Sequence, residues 1–233
     1  MTIQGKLKEM LIAVAVALGD DLRSRLVFVG GCTTALYITD PVTLENVRAT
    51  DDVDLIVDLA GFAAWAELME TLRQRGFAEA PDENVLCRMK LGDLKVDFMP
   101  ADPAILGFSN RWYGRGIETA VPAALGEGLE IRRLTAPLFI ATKLEAYRGR
   151  GGGDLIGSRD AEDILLLVDG REELADEIAD ADTDIKTYIA EQIVAVLADL
   201  NFDHFLQGNI RAPTGRADIV YDRLEAIAKL GGA

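Results

Sequence analysis

Apolar residues recur at helical spacing near the start of the chain, at Leu7, Met10, Leu11, Val14, Leu18 and Leu22, so Lys6 to about Arg23 is expected to form an amphipathic helix. The run Leu26-Val27-Phe28-Val29 then reads as a buried strand ending at Gly30-Gly31. Thr33 to Ile38 is expected to form one short helix, closed by Asp40-Pro41 before a polar loop through Ala49. Val53 to Val57 is a second apolar strand with acidic residues on its leading edge. Gly61 to Arg75 returns to helical spacing, with Phe62, Trp65, Leu68, Met69 and Leu72 on one side and Gly76 as the stop. The period then becomes two: Val85 to Leu91, the turn Gly92-Asp93 and Leu94 to Met99 read as a hairpin ended by Pro100. Further strands are expected at Gly116 to Val121 and Leu129 to Leu134.

From Ala136 onward the pattern is almost entirely helical: Ala136 to Arg148, Ser158 to Val168, Arg171 to Ala179, Asp184 to Leu200 and Ala217 to Leu230. The glycine-rich stretch Gly149-Arg150-Gly151-Gly152-Gly153 reads as a flexible loop. The expected architecture is therefore α+β, a mixed sheet with flanking helices over residues 1–135 followed by a helical C-terminal domain over 136–233.

Composition narrows the chemistry. Of the 233 residues, 49% are apolar and 27% charged, the mixture of an ordinary globular protein. No apolar stretch reaches the length of a membrane helix and the start has no signal-peptide core, so a cytoplasmic location without membrane partners is expected. Cys32 and Cys87 lack any metal-knuckle spacing and read as small core residues. The single histidine, His204, lies between Phe202 and Phe205 and reads as core packing, which removes histidine zinc sites and Ser-His-Asp triads. Chemistry must then rest on carboxylates and cations. A formal charge of -15 argues against a broad surface for coating nucleic acid, while leaving room for a local basic groove.

The informative constellation is Gly30-Gly31, then Thr50-Asp51-Asp52-Val53-Asp54, then Asp97 within Leu94-Lys95-Val96-Asp97-Phe98-Met99. Residues two apart on a strand share a face, so Asp52 and Asp54 present two carboxylates to one region, and Asp97 from a neighbouring strand supplies a third. Mg²⁺ takes hard oxygen ligands and usually one to three carboxylates, so three suit two ions. Two such ions about 3.5–4 Å apart steady the attacking oxygen and the leaving pyrophosphate of an in-line displacement. A glycine pair after a strand lets backbone amides approach a triphosphate. An isolated Asp-x-Asp is a weak signal, because solvated strand edges carry such pairs. An aspartate inside an apolar strand is a stronger one, since it needs a partner or a metal.

These residues resemble the nucleotidyltransferase superfamily of polymerase beta-like enzymes, whose pattern is a Gly-Gly or Gly-Ser turn, an Asp-x-Asp strand and a later third Asp. Closer still is the similarity to the AbiEii and MenT group of toxin-like nucleotidyltransferases, through Gly30-Gly31-Cys32-Thr33-Thr34-Ala35-Leu36, Arg48-Ala49-Thr50-Asp51-Asp52-Val53-Asp54, Lys143-Leu144-Glu145-Ala146 and Arg159-Asp160-Ala161-Glu162-Asp163. It spans roughly Leu26 to Val168. Cys32 stands where many relatives have Ser, and the loop between Gly31 and Asp52 is long.

The resemblance implies a Mg²⁺-dependent transfer of a nucleoside monophosphate from an NTP to an acceptor, with Asp52, Asp54 and Asp97 as metal-binding and catalytic residues. It adds Thr33, Lys143, Arg159 and Asp160 to Gly30 and Gly31 as substrate-binding candidates, with Lys143 and Asp160 helping to hold the NTP. Arg159 and Asp163, four apart on a helix, also have the spacing of a surface ion pair. The group's relatives point to the 3′ end of tRNA as acceptor and to a cognate antitoxin as partner. Arg111, Arg115, Arg132, Arg133, Lys143, Arg148, Arg150 and Arg159 are grouped along the chain and are expected to line one basic groove. A small molecule or a protein hydroxyl is the alternative acceptor, and a non-catalytic nucleotide- or partner-binding protein the alternative class.

Overall fold

A computed structural model of the chain describes residues 2–80, 85–149, 152–210 and 213–232. In chain order its elements are α1 (Ile3–Arg23), β1 (Val27–Val29), a 3-10 turn (Gly31–Leu36), α2 (Pro41–Leu44), β2 (Asp52–Val57), α3 (Gly61–Gln74), β3 (Ala78–Glu79), β4 (Arg88–Leu91), β5 (Leu94–Pro100), α4 (Pro103–Leu106), α5 (Tyr113–Glu118), β6 (Val121–Gly126) and β7 (Leu129–Arg133). Helices follow: α6 (Ala136–Gly149), α7 (Arg159–Gly170), α8 (Leu174–Ala179), α9 (Thr183–Leu197), α10 (Phe202–Asn209) and α11 (Arg216–Ala228). None is long and apolar enough to cross a membrane among the described residues. Arg150 and Gly151 of the expected glycine-rich loop lie outside the described residues.

Two compact units emerge. The first comprises Met1–Leu36 and Arg48–Thr135, the second Tyr37–Val47 and Ala136–Ala233. The first is mixed α/β, built on a seven-stranded sheet in the order β3-β4-β5-β2-β1-β7-β6. Strand β2 runs parallel to β5 and antiparallel to β1, and β4 pairs antiparallel with β5 across the Gly92-Asp93 turn. Val53, Leu55, Val96 and Phe98 are fully buried, which fixes the register of the central strands: a slip by one residue would bury the aspartates instead. Helix α1 buries Leu7, Leu11, Val14 and Leu18 at the expected spacing and kinks at Gly19, whose φ of 64° is left-handed.

The second unit is helical. Residues 37–47, counted with the sheet domain in the sequence reading, pack here. The amides of Thr39 and Asp40 donate to the carbonyl of Gly170, and Arg171 donates to the Tyr37 carbonyl at 2.8 Å. Arg216 on α11 reaches Asp169, Asp40 and the Thr43 hydroxyl. Gly170 is needed for this closeness, because a Cβ there would lie 2.7 Å from Ile38 and 2.8 Å from Thr43 side-chain carbons.

Four local expectations are corrected. Asp40-Pro41 starts a helix instead of closing one: the Asp40 carboxylate accepts from the Val42 and Thr43 amides, with Pro41 in the first turn. The expected strand from Gly116 is helix α5, which begins where the Asn110 side chain accepts the Trp112 amide; a Cβ on Gly116 would approach the Leu134 side chain to 2.5 Å. The apolar side expected for α3 is only partly used, since Leu68 and Leu72 are buried whereas Phe62 is 66% exposed. His204 is exposed, because Phe202, Phe205 and Leu206 take the inward positions of α10, a helix that the periodicity missed.

Candidate active site

Register brings the acidic trio together. Val29 on β1 faces Asp54 on β2, Asp54 faces Asp97 on β5, and Asp97 faces Arg88 on β4, so one row of paired residues crosses four strands. Directly paired side chains share a sheet face, and Asp52 joins that face by its spacing of two from Asp54. Asp52, Asp54 and Asp97 each offer an oxygen within 4.8 Å of the others. The site is graded in depth: the Asp97 side chain is 10% exposed and that of Asp52 29%.

Gly30 makes room for this arrangement. Its φ is 73°, and a Cβ there would sit 1.8 Å from Asp54 Oδ2 and 2.9 Å from Asp54 Cβ, so no side chain fits while Asp54 keeps its place. Thr33 is buried and closes the turn by donating both its amide (3.2 Å) and its hydroxyl (2.9 Å) to the Gly30 carbonyl. Its hydroxyl therefore shapes the turn. Gly31 opens the 3-10 segment, and the Thr34 hydroxyl beyond it is buried without a hydrogen-bond partner.

Arg88 was missed in the sequence. Its Nε donates to Asp97 Oδ1 at 2.7 Å and its Nη2 to Asp97 Oδ2 at 2.8 Å, and Nη2 lies 3.5 Å from Asp52 Oδ2. The Thr50 hydroxyl donates to Asp52, and Lys95 pairs with Asp51 at 3.2 Å. The signal was the expected Gly92-Asp93 turn, from which counting back sets Arg88 opposite Asp97.

The donors are all hard. Cys32 and Cys87 are both buried, and burial, reinforced by the nearby aspartates, pushes the Cys87 thiol up to about 12 and the Cys32 thiol higher still. Neither offers a thiolate. The three carboxylates fit an oxygen-seeking divalent cation such as Mg²⁺.

The second unit holds a different cluster. Lys143 on α6 is buried, with Nζ 3.0 Å from Asp160 Oδ1 and 2.6 Å from Asp163 Oδ2, both on α7. Lys143 and Asp160 thus meet, while Asp163 pairs inward instead of with Arg159, which is exposed on the first turn of α7. Glu145 of the same motif accepts from the Tyr188 hydroxyl at 2.8 Å.

Several of the cations expected to line a groove have internal partners. Arg132 donates to the carbonyls of Arg25 and Ile117, Arg133 to that of Leu134, and Arg148 to Gln192. Arg111 lies 5.6 Å over the Trp112 ring. Arg115 is half-buried, and Arg150 lies outside the described residues.

No protein-family model matches the chain, and no curated protein matches its sequence.

Proposed function

We propose that the protein is a Mg²⁺-dependent nucleotidyltransferase of the nucleotidyltransferase-type fold, moving a nucleoside monophosphate from an NTP to an acceptor hydroxyl. The observation that carries this reading is the convergence of Asp52, Asp54 and Asp97 within 4.8 Å beside a glycine that admits no side chain. Asp52 and Asp54 would hold one ion and Asp97 would help hold a second. Bound there, the pair would supply charge neutralisation at the attacking and leaving oxygens. The chain's own part is positional: β2 and β5 fix the carboxylates, and Gly30 lets Asp54 lie close against the turn. The acceptor in this reading is an RNA 3′ end held by few phosphate contacts, consistent with the acidic chain and with the internal partners of Arg132 and Arg148. A small-molecule or protein acceptor is the second reading, which needs no basic surface for RNA phosphates. Lys143, Asp160 and Arg159 stand as NTP-binding candidates and a cognate antitoxin as a candidate partner.

The test incubates the protein and Mg²⁺ with each labelled NTP, total tRNA and a cell lysate, then treats the product with ribonuclease or protease. Label removed by ribonuclease is the expected result. Label that resists ribonuclease and yields to protease moves the acceptor to protein. No labelled product from any NTP, with nucleotide still bound, replaces the enzyme by a binding protein.

A further inference from the structure

The sheet face that carries the acidic trio changes character along its strands. Parallel pairing of β2 with β5 arranges that face in successive rows: Asp52 beside Lys95, Asp54 beside Asp97, and Ile56 beside Met99. Strand β4 extends the first row with Lys90, which faces Lys95 directly. Lys95 pairs with Asp51 at 3.2 Å, and that pair is open to solvent, so little is lost when its ammonium turns to a phosphate instead.

The row on the other side of the carboxylates is apolar. Ile56 is fully buried and Met99 half-buried. Helix α5 lies over this row: a Cβ on its Gly116 would come 3.9 Å from Ile56 Cδ1, and the hydroxyl of Tyr113, in the first turn of α5, donates to the Met99 sulfur at 3.2 Å. The Tyr113 amide donates to the Asn110 carbonyl at 3.0 Å, so the turn that starts α5 also sets the position of the half-buried ring. Rows two residues apart on a strand are separated by about 7 Å, the reach of one ribose. A ring and a thioether thus stand one sugar's length from the carboxylates, and the ammonium groups stand as far away in the opposite direction.

We propose that the substrate nucleotide lies lengthwise along β2 and β5, with its base against Tyr113 and Met99 and its outer phosphates turned towards Lys90 and Lys95. This rests on the nucleotidyltransferase reading above. The reverse orientation would set the charged tail on Ile56 and Met99 and leave the base among the lysines, which is less favourable at both ends. Tyr113 supplies a flat face on which any base can stack. The apolar row therefore fixes where the base lies and leaves the choice of base to other groups.

The experiment measures binding of Mg²⁺ complexes to the full chain by isothermal titration calorimetry, comparing the four NTPs with inorganic tripolyphosphate, which has the charged tail and no nucleoside. Tyr113→Leu is expected to weaken the tightest NTP about tenfold or more, the size of one lost base stack, and to leave tripolyphosphate within about twofold. Tyr113→Phe, which keeps the ring and loses the hydroxyl, should hold the NTP near its wild-type affinity. Lys90→Gln combined with Lys95→Gln should weaken NTP and tripolyphosphate by the same factor. Unchanged NTP affinity in Tyr113→Leu, loss of tripolyphosphate to the same extent as NTP in that variant, a Tyr113→Phe protein as weak as Tyr113→Leu, or a lysine double variant with both ligands unaffected would each overturn the proposal. The wild-type protein gives a second arm that no folding defect reaches. An NTP carrying a photoreactive azide on its base should label the peptide that contains Met99 or Tyr113, and labelling confined to other peptides overturns the orientation. NTP binding that Tyr113→Leu leaves unaltered fails this proposal alone, whereas a wild-type protein that binds neither NTP nor tripolyphosphate in Mg²⁺ fails the nucleotidyltransferase reading with it.

Discussion

The two buried acid–base clusters differ in balance and in access. In the sheet unit three carboxylates cluster and Arg88 pairs with two of them, Asp97 and the partly exposed Asp52. In the helical unit two carboxylates enclose the Lys143 ammonium, and Asp163 is 1% exposed. A closed, nearly balanced cluster resembles a structural clamp, whose cost appears when one member is removed. An open cluster with surplus negative charge is unfinished without a further cation. The same residue types therefore support opposite expectations: mutating the first should harm chemistry more than folding, and mutating the second should harm folding first.

The largest expected effect lies in the open cluster. Asp54→Asn should lower nucleotidyl transfer at least about a thousandfold, a loss comparable to removing a principal electrostatic contact. Its urea midpoint should stay at or above that of the wild type, because one repulsive charge is gone. Near-normal transfer in a single-turnover assay would end the distinction. Next is Lys143→Met, which leaves two buried carboxylates facing each other and should cost about 3–5 kcal/mol of stability in urea unfolding. A stable Lys143→Met protein whose NTP concentration dependence alone has changed would move the second cluster to the substrate. Gly30→Ala sharpens the first cluster from outside it: a Cβ 1.8 Å from Asp54 Oδ2 at a φ of 73° should cost about 1–3 kcal/mol and displace the carboxylate, so that Mn²⁺ affinity falls with stability. Unaltered Mn²⁺ affinity in that variant would detach the glycine from the site.

The smallest effect is one of pH. Burial pulls Lys143 towards its neutral form, but the carboxylates of Asp163 and Asp160 outweigh it and hold the ammonium above its ordinary value of 10.5. A cation whose pKa rises on folding gives stability that is complete below the unfolded value and is lost as pH climbs through the folded one. From neutral pH upward, the stability difference between wild type and Lys143→Met should thus be flat to about pH 10 and narrow above it. A difference that already narrows between pH 7 and pH 9 would assign the clamp to another group.

The trio was legible because a strand repeats every two residues, so Asp52-Val53-Asp54 declares a shared face without knowledge of the fold. Asp97 was legible by its misfit among Val96, Phe98 and Met99. Arg88 was within reach and not drawn: the expected Gly92-Asp93 turn pairs Leu91 with Leu94 and, counted back, Arg88 with Asp97, but that register was not carried through. The strand expected from Gly116 failed for a different reason. The alternation of Ile117, Thr119 and Val121 is a β signal that is realised only from Val121, where β6 begins; before it the Asn110 turn and tight packing of Gly116 on Leu134 hold a helix. His204 was judged by its aromatic neighbours, although at helical spacing those neighbours claim the interior and leave it outside.

The packing of residues 37–47 with the helical unit sets an order of events during synthesis. Those residues leave the ribosome after β1 and before the other six strands, yet their partners Phe139, Gly170 and Arg216 are made much later. At about 5–20 residues per second, the interval between Val47 and Arg216 is on the order of ten seconds or more. The nascent sheet unit can pair its strands in that time, but the strand carrying Asp52 and Asp54 is joined to a segment still without its partners. A gene cut after Thr135 would leave that segment permanently stranded, so the natural seam for dissecting this protein is not the one between its two longest stretches of sequence.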